Sequence, residues 1–165
     1  MSSHLPRCWS PGPSPVMMRP VHSSVEELPM AQHIGALALL VADYDAAITF
    51  FTQGLGFELL EDTPLDEPGK PGKRWVRVAP KGAPGSALLL ARAATPEQRA
   101  AIGQQGGGRV FLFLETDDFW GDYQRMQAYG VHFCEQPRIE AYGTVVVFED
   151  ISGNRWDLLQ LAAAN

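Results

Sequence analysis

Residues His33–Phe57 read HIGALALLVADYDAAITFFTQGLGF, and residues Gly108–Val131 read GRVFLFLETDDFWGDYQRMQAYGV. The two stretches follow one plan. Each opens with about eight residues that are apolar at nearly every position, the pattern of a strand buried on both faces. Each then meets an aspartate, Asp43 or Asp118, suited to cap a helix N-terminus. Apolar residues follow at helical spacing: Tyr44, Ile48, Phe51 and Leu55 in the first, Phe119, Tyr123 and Met126 in the second. The first three of each set are related by a shift of 75 positions. Glycine closes both helices, at Gly56 and Gly130, where the shift is 74.

The match continues downstream. Arg74–Ala93, RWVRVAPKGAPGSALLLARA, reads as strand, tight turn, strand, with Pro80, Gly82, Pro84 and Gly85 in the turn. Thr144–Ala162, TVVVFEDISGNRWDLLQLA, does the same around Gly153 and Asn154, with Gly85 answering to Gly153 at a shift of 68. A further short strand precedes each hairpin, FELLED from Phe57 and VHFCEQ from Val131. Each unit therefore reads strand, helix, three strands. The expected fold is α+β, with one βαβββ unit over residues 31–92 and a second over 108–163. Residues 93–107 form the joint. There Thr95 and Gln98 make a capping box, Pro96 suits the first helical position and Gly103 the stop, before a glycine run.

Residues 1–30 differ. They hold prolines and serines without hydrophobic periodicity, and lack the apolar centre of a secretory signal. A disordered tail is expected there. Met17, Met18 and Met30 offer alternative starts, and His4 and His22 carry little weight. The net charge of −6 argues against nucleic acid as a partner, since phosphate needs a basic surface. No apolar run of about 18 residues exists to span a membrane. Cys8 and Cys134 make neither a disulfide framework nor a CxxC site, so the cytoplasm is the expected location.

A βαβββ unit used twice, with a closing hairpin of the form ED-x-x-GN-x-W, resembles the vicinal oxygen chelate superfamily. That group includes glyoxalase I, bleomycin- and fosfomycin-resistance proteins and extradiol dioxygenases. The residues that carry the likeness are His33-Ile34, VADYDAAITFFTQGLGFEL from Val41 and VVVFEDISGNRWDLLQ from Val145. The resemblance implies one domain over residues 31–163, whose sheets form an incomplete barrel around a cavity. It also implies metal ligands on the first and last strands of each unit. His33 and Asp157 stand at two such positions, and both suit a divalent Fe, Mn, Ni or Zn ion. Shifting them by the repeat gives Gly108 and Leu89, which offer no donor, so the ligand set is incomplete.

Asp157 interrupts an otherwise apolar strand. Alternation places it with Arg155, Leu159 and Leu161, opposite Trp156, Leu158 and Gln160. Two readings stand open: contact with a metal or substrate, or an ion pair with Arg155, Arg74, Arg77 or Arg109. Trp75 and Trp156 occupy similar-looking places near the two hairpins. Trp75, Arg77 and Tyr142 are the candidate substrate-binding residues. His132 reads as a solvent-facing or core-edge residue, and Cys134 as a small buried hydrophobe.

Two functions of different class follow. The first is a protein that binds or sequesters a small planar or amphipathic molecule without a full metal site. The second is a metal-dependent lyase, isomerase or dioxygenase using His33 and Asp157. The empty ligand positions favour the first. A homodimer is an expected assembly from the same resemblance.

Overall fold

The computed structural model describes residues 32–65, 68–69, 71–82 and 85–163. The expected tail, with its histidines, methionines and Cys8, and Pro84 of the first turn lie outside the described residues. The description below concerns the compact unit that begins at His33.

Both units assemble one sheet each, with the same path. In the first, Ala36–Val41 (β1) leads into a helix, Tyr44–Thr49 (α1). Three strands follow: Phe57–Leu65 (β2), Lys73–Pro80 (β3) and Ala87–Arg92 (β4). The sheet order is β1-β4-β3-β2, with β1 and β4 parallel. After a capped linker helix, Pro96–Ala101 (α2), the second unit repeats the pattern. It runs through Val110–Glu115 (β5), Phe119–Tyr129 (α3), His132–Phe133 (β6), Arg138–Glu140 (β7), Gly143–Glu149 (β8) and Arg155–Leu161 (β9). Its order is β5-β9-β8-β6, with β5 and β9 parallel and β7 added beside β8. The two sheets do not close into a barrel. The repeat shifts hold in space. Ala38 pairs with Leu89, and their repeat-mates Phe113 and Asp157 pair with each other.

The punctuation read from the sequence is built as expected. The Asp43 carboxylate accepts from the Ala46 N–H at 2.9 Å, and that of Asp118 from the Gly121 N–H at 3.1 Å. Each satisfies an orphan donor of its helix. Thr95 and Gln98 complete the capping box. Gly130 adopts φ 97°, the left-handed stop that a side chain disfavours. The first helix ends differently. Its last turn, Phe50–Gly54, widens to a π-helix, and the Leu55 N–H reaches the Phe50 carbonyl. A π turn holds one more residue than an α turn. That residue accounts for the shift of 75 at the helix starts and 74 at their closing glycines.

The sheets' inward faces share one core. Leu39, Val41, Val76 and Leu90 come from the first sheet, and Val146, Phe148, Trp156 and Leu158 from the second. Helix residues Phe51, Phe119 and Met126 fill the space between. Phe51 and Phe57 both lie against Trp156, at centroid distances of 6.0 and 6.5 Å. A fully buried side chain of this size stabilises the fold by about 1.5–3 kcal/mol. Arg125 of α3 also donates to the Gly54 carbonyl at 2.8 Å, tying the two helical segments together.

Three expectations change. The opening strands are not buried on both faces. β1 and β5 are the edge strands of their sheets, and the outward side of each is open, with Phe113 64% exposed. Moreover, β1 begins at Ala36, so His33 and Ile34 precede it as exposed chain. The short strand expected over 131–136 is only His132–Phe133. No helix among the described residues is long and apolar enough to cross a membrane.

Candidate functional site

The hairpin that carries Asp157 is organised by a different aspartate. Asp150 is 5% exposed and accepts four hydrogen bonds. One oxygen takes the N–H groups of Ser152 and Asn154, at 2.8 and 3.0 Å. The other takes the Asn154 side-chain amide at 3.1 Å and the Trp156 indole N–H at 3.0 Å. The D-x-x-GN-x-W pattern is thus one buried polar network. It fixes the turn and turns Trp156 into the core. By alternation, Asp157 then faces outward.

Asn154 extends the network to the first unit. Its side-chain oxygen accepts from the Gln105 N–H at 3.2 Å. Gln105 in turn lies along the free edge of β1. It accepts from the Leu40 N–H at 2.7 Å and donates to the Ala38 carbonyl at 3.2 Å. A single side-chain amide stands in for a neighbouring strand there.

Asp157 sits between Phe113 of β5 and Val147 of β8. Its Oδ1 is buried and has no hydrogen-bond partner. Burial holds the carboxyl above its ordinary pKa, Arg138 pulls it down and Glu135 pushes it up. The proposed ion pairs do not form. Arg155 pairs with Glu149 at 3.8 Å, Arg77 with Glu61 at 3.7 Å, and Arg74 with Asp45 and Asp62. Asp157 has no salt bridge among the described residues.

The other candidate residues are spread over both sheets. Trp75 is 40% exposed on the outward face of β3, and Arg77 lies two residues further along that face. Trp75 borders a cavity of about 490 Å³ that also takes in Leu40, Leu89 and Ala91. The Tyr44 ring lies there too, with the Arg74 and Arg92 guanidinium groups stacked on it at 5.2 and 5.5 Å. The size is ordinary for a small-molecule pocket. Trp156, by contrast, is 3% exposed, and the ladder registers make Val145 the repeat-mate of Trp75. Tyr142 is exposed in the turn before β8. His33 is exposed and lies beside Gly35.

A metal centre drawn from the first and last strands fits poorly. At the level of Asp157 the paired positions are Phe113, Leu89 and Ala38, and none of them has a donor. His33 lies outside β1 altogether. Among the described residues, the ligand-type side chains that gather in a group of three are His132, Cys134 and Glu149. They lie on β8, on β6 and just beyond it. Sequence reasoning reads Cys134 as a buried hydrophobe and so does not group it with His132, whereas the structure exposes it. The readable signal was the His-x-Cys spacing, which puts both side chains on one face of a strand.

Comparison with known proteins agrees with this architecture. Residues 33–158 match the model of the Glyoxalase/Bleomycin resistance protein/Dioxygenase superfamily. An uncharacterized protein of Shewanella frigidimarina is 58% identical over 132 residues, covering 80% of this chain and 96% of that one. The uncharacterized protein YetH of Bacillus subtilis is 33% identical over 128 residues, covering 76% and 95%. Among solved structures, TnmS3, an antibiotic binding protein from Streptomyces sp. CB03234, is 34% identical. It aligns with a TM-score of 0.62 over 81% of this chain and 99% of its own. With a family model spanning most of its length and two sheets of repeated βαβββ order, the chain belongs to the glyoxalase/bleomycin resistance protein/dioxygenase superfamily.

Proposed function

We propose that this protein binds a small amphipathic molecule, held on the outward faces of its sheets rather than transformed there. The observation that carries the reading is Asp157 Oδ1, buried without a partner. A buried acceptor with nothing to accept is costly, and a ligand donor would remove that cost. Trp75 and Phe113 supply exposed aromatic surface on the same kind of face, the usual companion of a few placed polar groups in a binding site. The antibiotic-binding name of TnmS3 supports a ligand of natural-product size. The open faces of both sheets also suit closure by a second copy of this chain. No metal-assisted step is assigned, because the level of Asp157 offers a single donor.

The test is calorimetric titration with a panel of aromatic antibiotics, bleomycin included, on wild type, Trp75→Ala and Asp157→Asn. Binding that weakens at least about tenfold in both variants, the loss of one buried contact each, supports the reading. Equal affinity in all three proteins would overturn it.

A further inference from the structure

We propose that His132, Cys134 and Glu149 form a zinc-class metal site at the outer edge of the second sheet. The backbone already places the three. His132 is paired with Glu149 across the antiparallel β6–β8 ladder, and Phe133 with Phe148. The rings of that second pair lie 6.2 Å apart, and both pack on the core. Their neighbours on either side therefore point outward. The Cys134 N–H bonds the Val147 carbonyl at 2.9 Å, which carries the ladder one residue further and turns the thiol to the face of His132.

The ligand atoms of the three side chains lie within 4.8 Å of one another. Zinc bonds to nitrogen, sulfur and oxygen of about 2.0–2.3 Å in a tetrahedron set ligands roughly 3.5 Å apart. The side chains must therefore close by roughly 1 Å. His132 and Cys134 are exposed and Glu149 is half-buried, so rotamer changes suffice while the ladder holds the backbone. A neutral imidazole, a thiolate and a carboxylate bring two negative charges to a divalent ion. A mixed nitrogen, sulfur and oxygen set selects zinc and its neighbours over magnesium or calcium. The fourth position faces solvent and is left for water or a small ligand.

The charged surroundings set how the site loads. Burial raises the Cys134 thiol above its ordinary pKa, the charge of Glu149 adds to this, and Arg155 opposes it. Glu135 raises it further. Arg155, 3.8 Å from the Glu149 carboxylate, competes with a metal for that group.

Titration of the full-length protein with Co²⁺ tests the site. Expected are a 1:1 complex, a near-ultraviolet thiolate-to-metal band and its bleaching by Zn²⁺. Cys134→Ser should abolish the band. His132→Ala and Glu149→Gln should each weaken Co²⁺ binding at least about tenfold, with circular dichroism confirming that both stay folded. Three results overturn the proposal. One is the absence of a thiolate band in wild type. Another is a band that survives in Cys134→Ser, which assigns the metal to Cys8 and the tail histidines. The third is binding unchanged by His132→Ala and Glu149→Gln.

Discussion

Asp157 stands directly opposite Phe113 across the parallel β5–β9 ladder. In the first unit the same two places hold Leu89 and Ala38. One backbone geometry thus presents an acid beside an exposed aromatic ring in one half, and plain apolar surface in the other. The repeat fixes the frame, and the outward side chains distinguish its two copies.

Asp157→Asn should leave stability at neutral pH unchanged or slightly raised, within about 1 kcal/mol, because no ion pair is lost. The wild-type carboxyl has a raised pKa in the folded state, caused chiefly by burial. The folded protein therefore binds this proton more tightly than the unfolded chain. Its contribution to stability is fully present below the unfolded value and is lost as pH rises through the folded one. Thermal melts between acid and neutral pH should show this slope in wild type and its absence in Asp157→Asn. A fall of several degrees in the variant at pH 7 would reveal an ionic partner after all.

Asp150→Ala should be far more damaging. It strands the Trp156 indole and the N–H groups of Ser152 and Asn154, all satisfied by one buried carboxylate. The expected loss is about 3 kcal/mol or more. Urea unfolding followed by Trp fluorescence measures it, and a loss below that of a surface substitution contradicts the network's role.

Gln105→Ala removes the amide that lies along β1. Stability should fall by about 1–2 kcal/mol, two neutral hydrogen bonds' worth. The more specific readout is hydrogen exchange. The Leu40 amide, bonded to Gln105 Oε1, should lose protection while the Ala93 amide, bonded to Val41 within the sheet connection, keeps it.

Gly103 and Gly107 both adopt positive φ, 74° and 59°. At Gly103 an added Cβ would run into the Ser152 carbonyl oxygen, whereas at Gly107 nothing lies within 4 Å. Gly107→Ala should therefore cost only backbone strain, about 1 kcal/mol. Gly103→Ala should cost clearly more, since backbone must move. Comparing the two melting temperatures decides the matter.

Much of the fold was legible because it depends on local chemistry that repeats. Capping aspartates, closing glycines and apolar spacing gave both helices at their observed places. The faces of β9 followed from alternation alone. What failed depended on neighbours in space. Apolar runs at β1 and β5 look doubly buried, yet no residue spacing reveals that the outward face of a sheet will be left uncovered. Asp157 stands out as an acid in an otherwise apolar strand, but four arginines look equally able to pair with it. Only the fold shows that three of them are engaged by Glu149, Glu61, Asp45 and Asp62. Asp150, the most heavily bonded acid of the hairpin, drew no notice as a residue because turn aspartates are commonplace.

The widened turn at Phe50–Gly54 has a bearing on how this chain tolerates change in its length. An extra residue in a regular helix would rotate everything after it by about 100°. Phe57 would then leave Trp156. Here the surplus is confined to one loosened coil, and the direction of the chain beyond it is undisturbed. A shortened protein lacking Gln53, exposed on that coil, should therefore fold with an ordinary helix in its place and keep the spacing of its second half. The molecule holds two copies of one shape in unequal lengths of polypeptide, and one residue of that difference is stored where it can be removed.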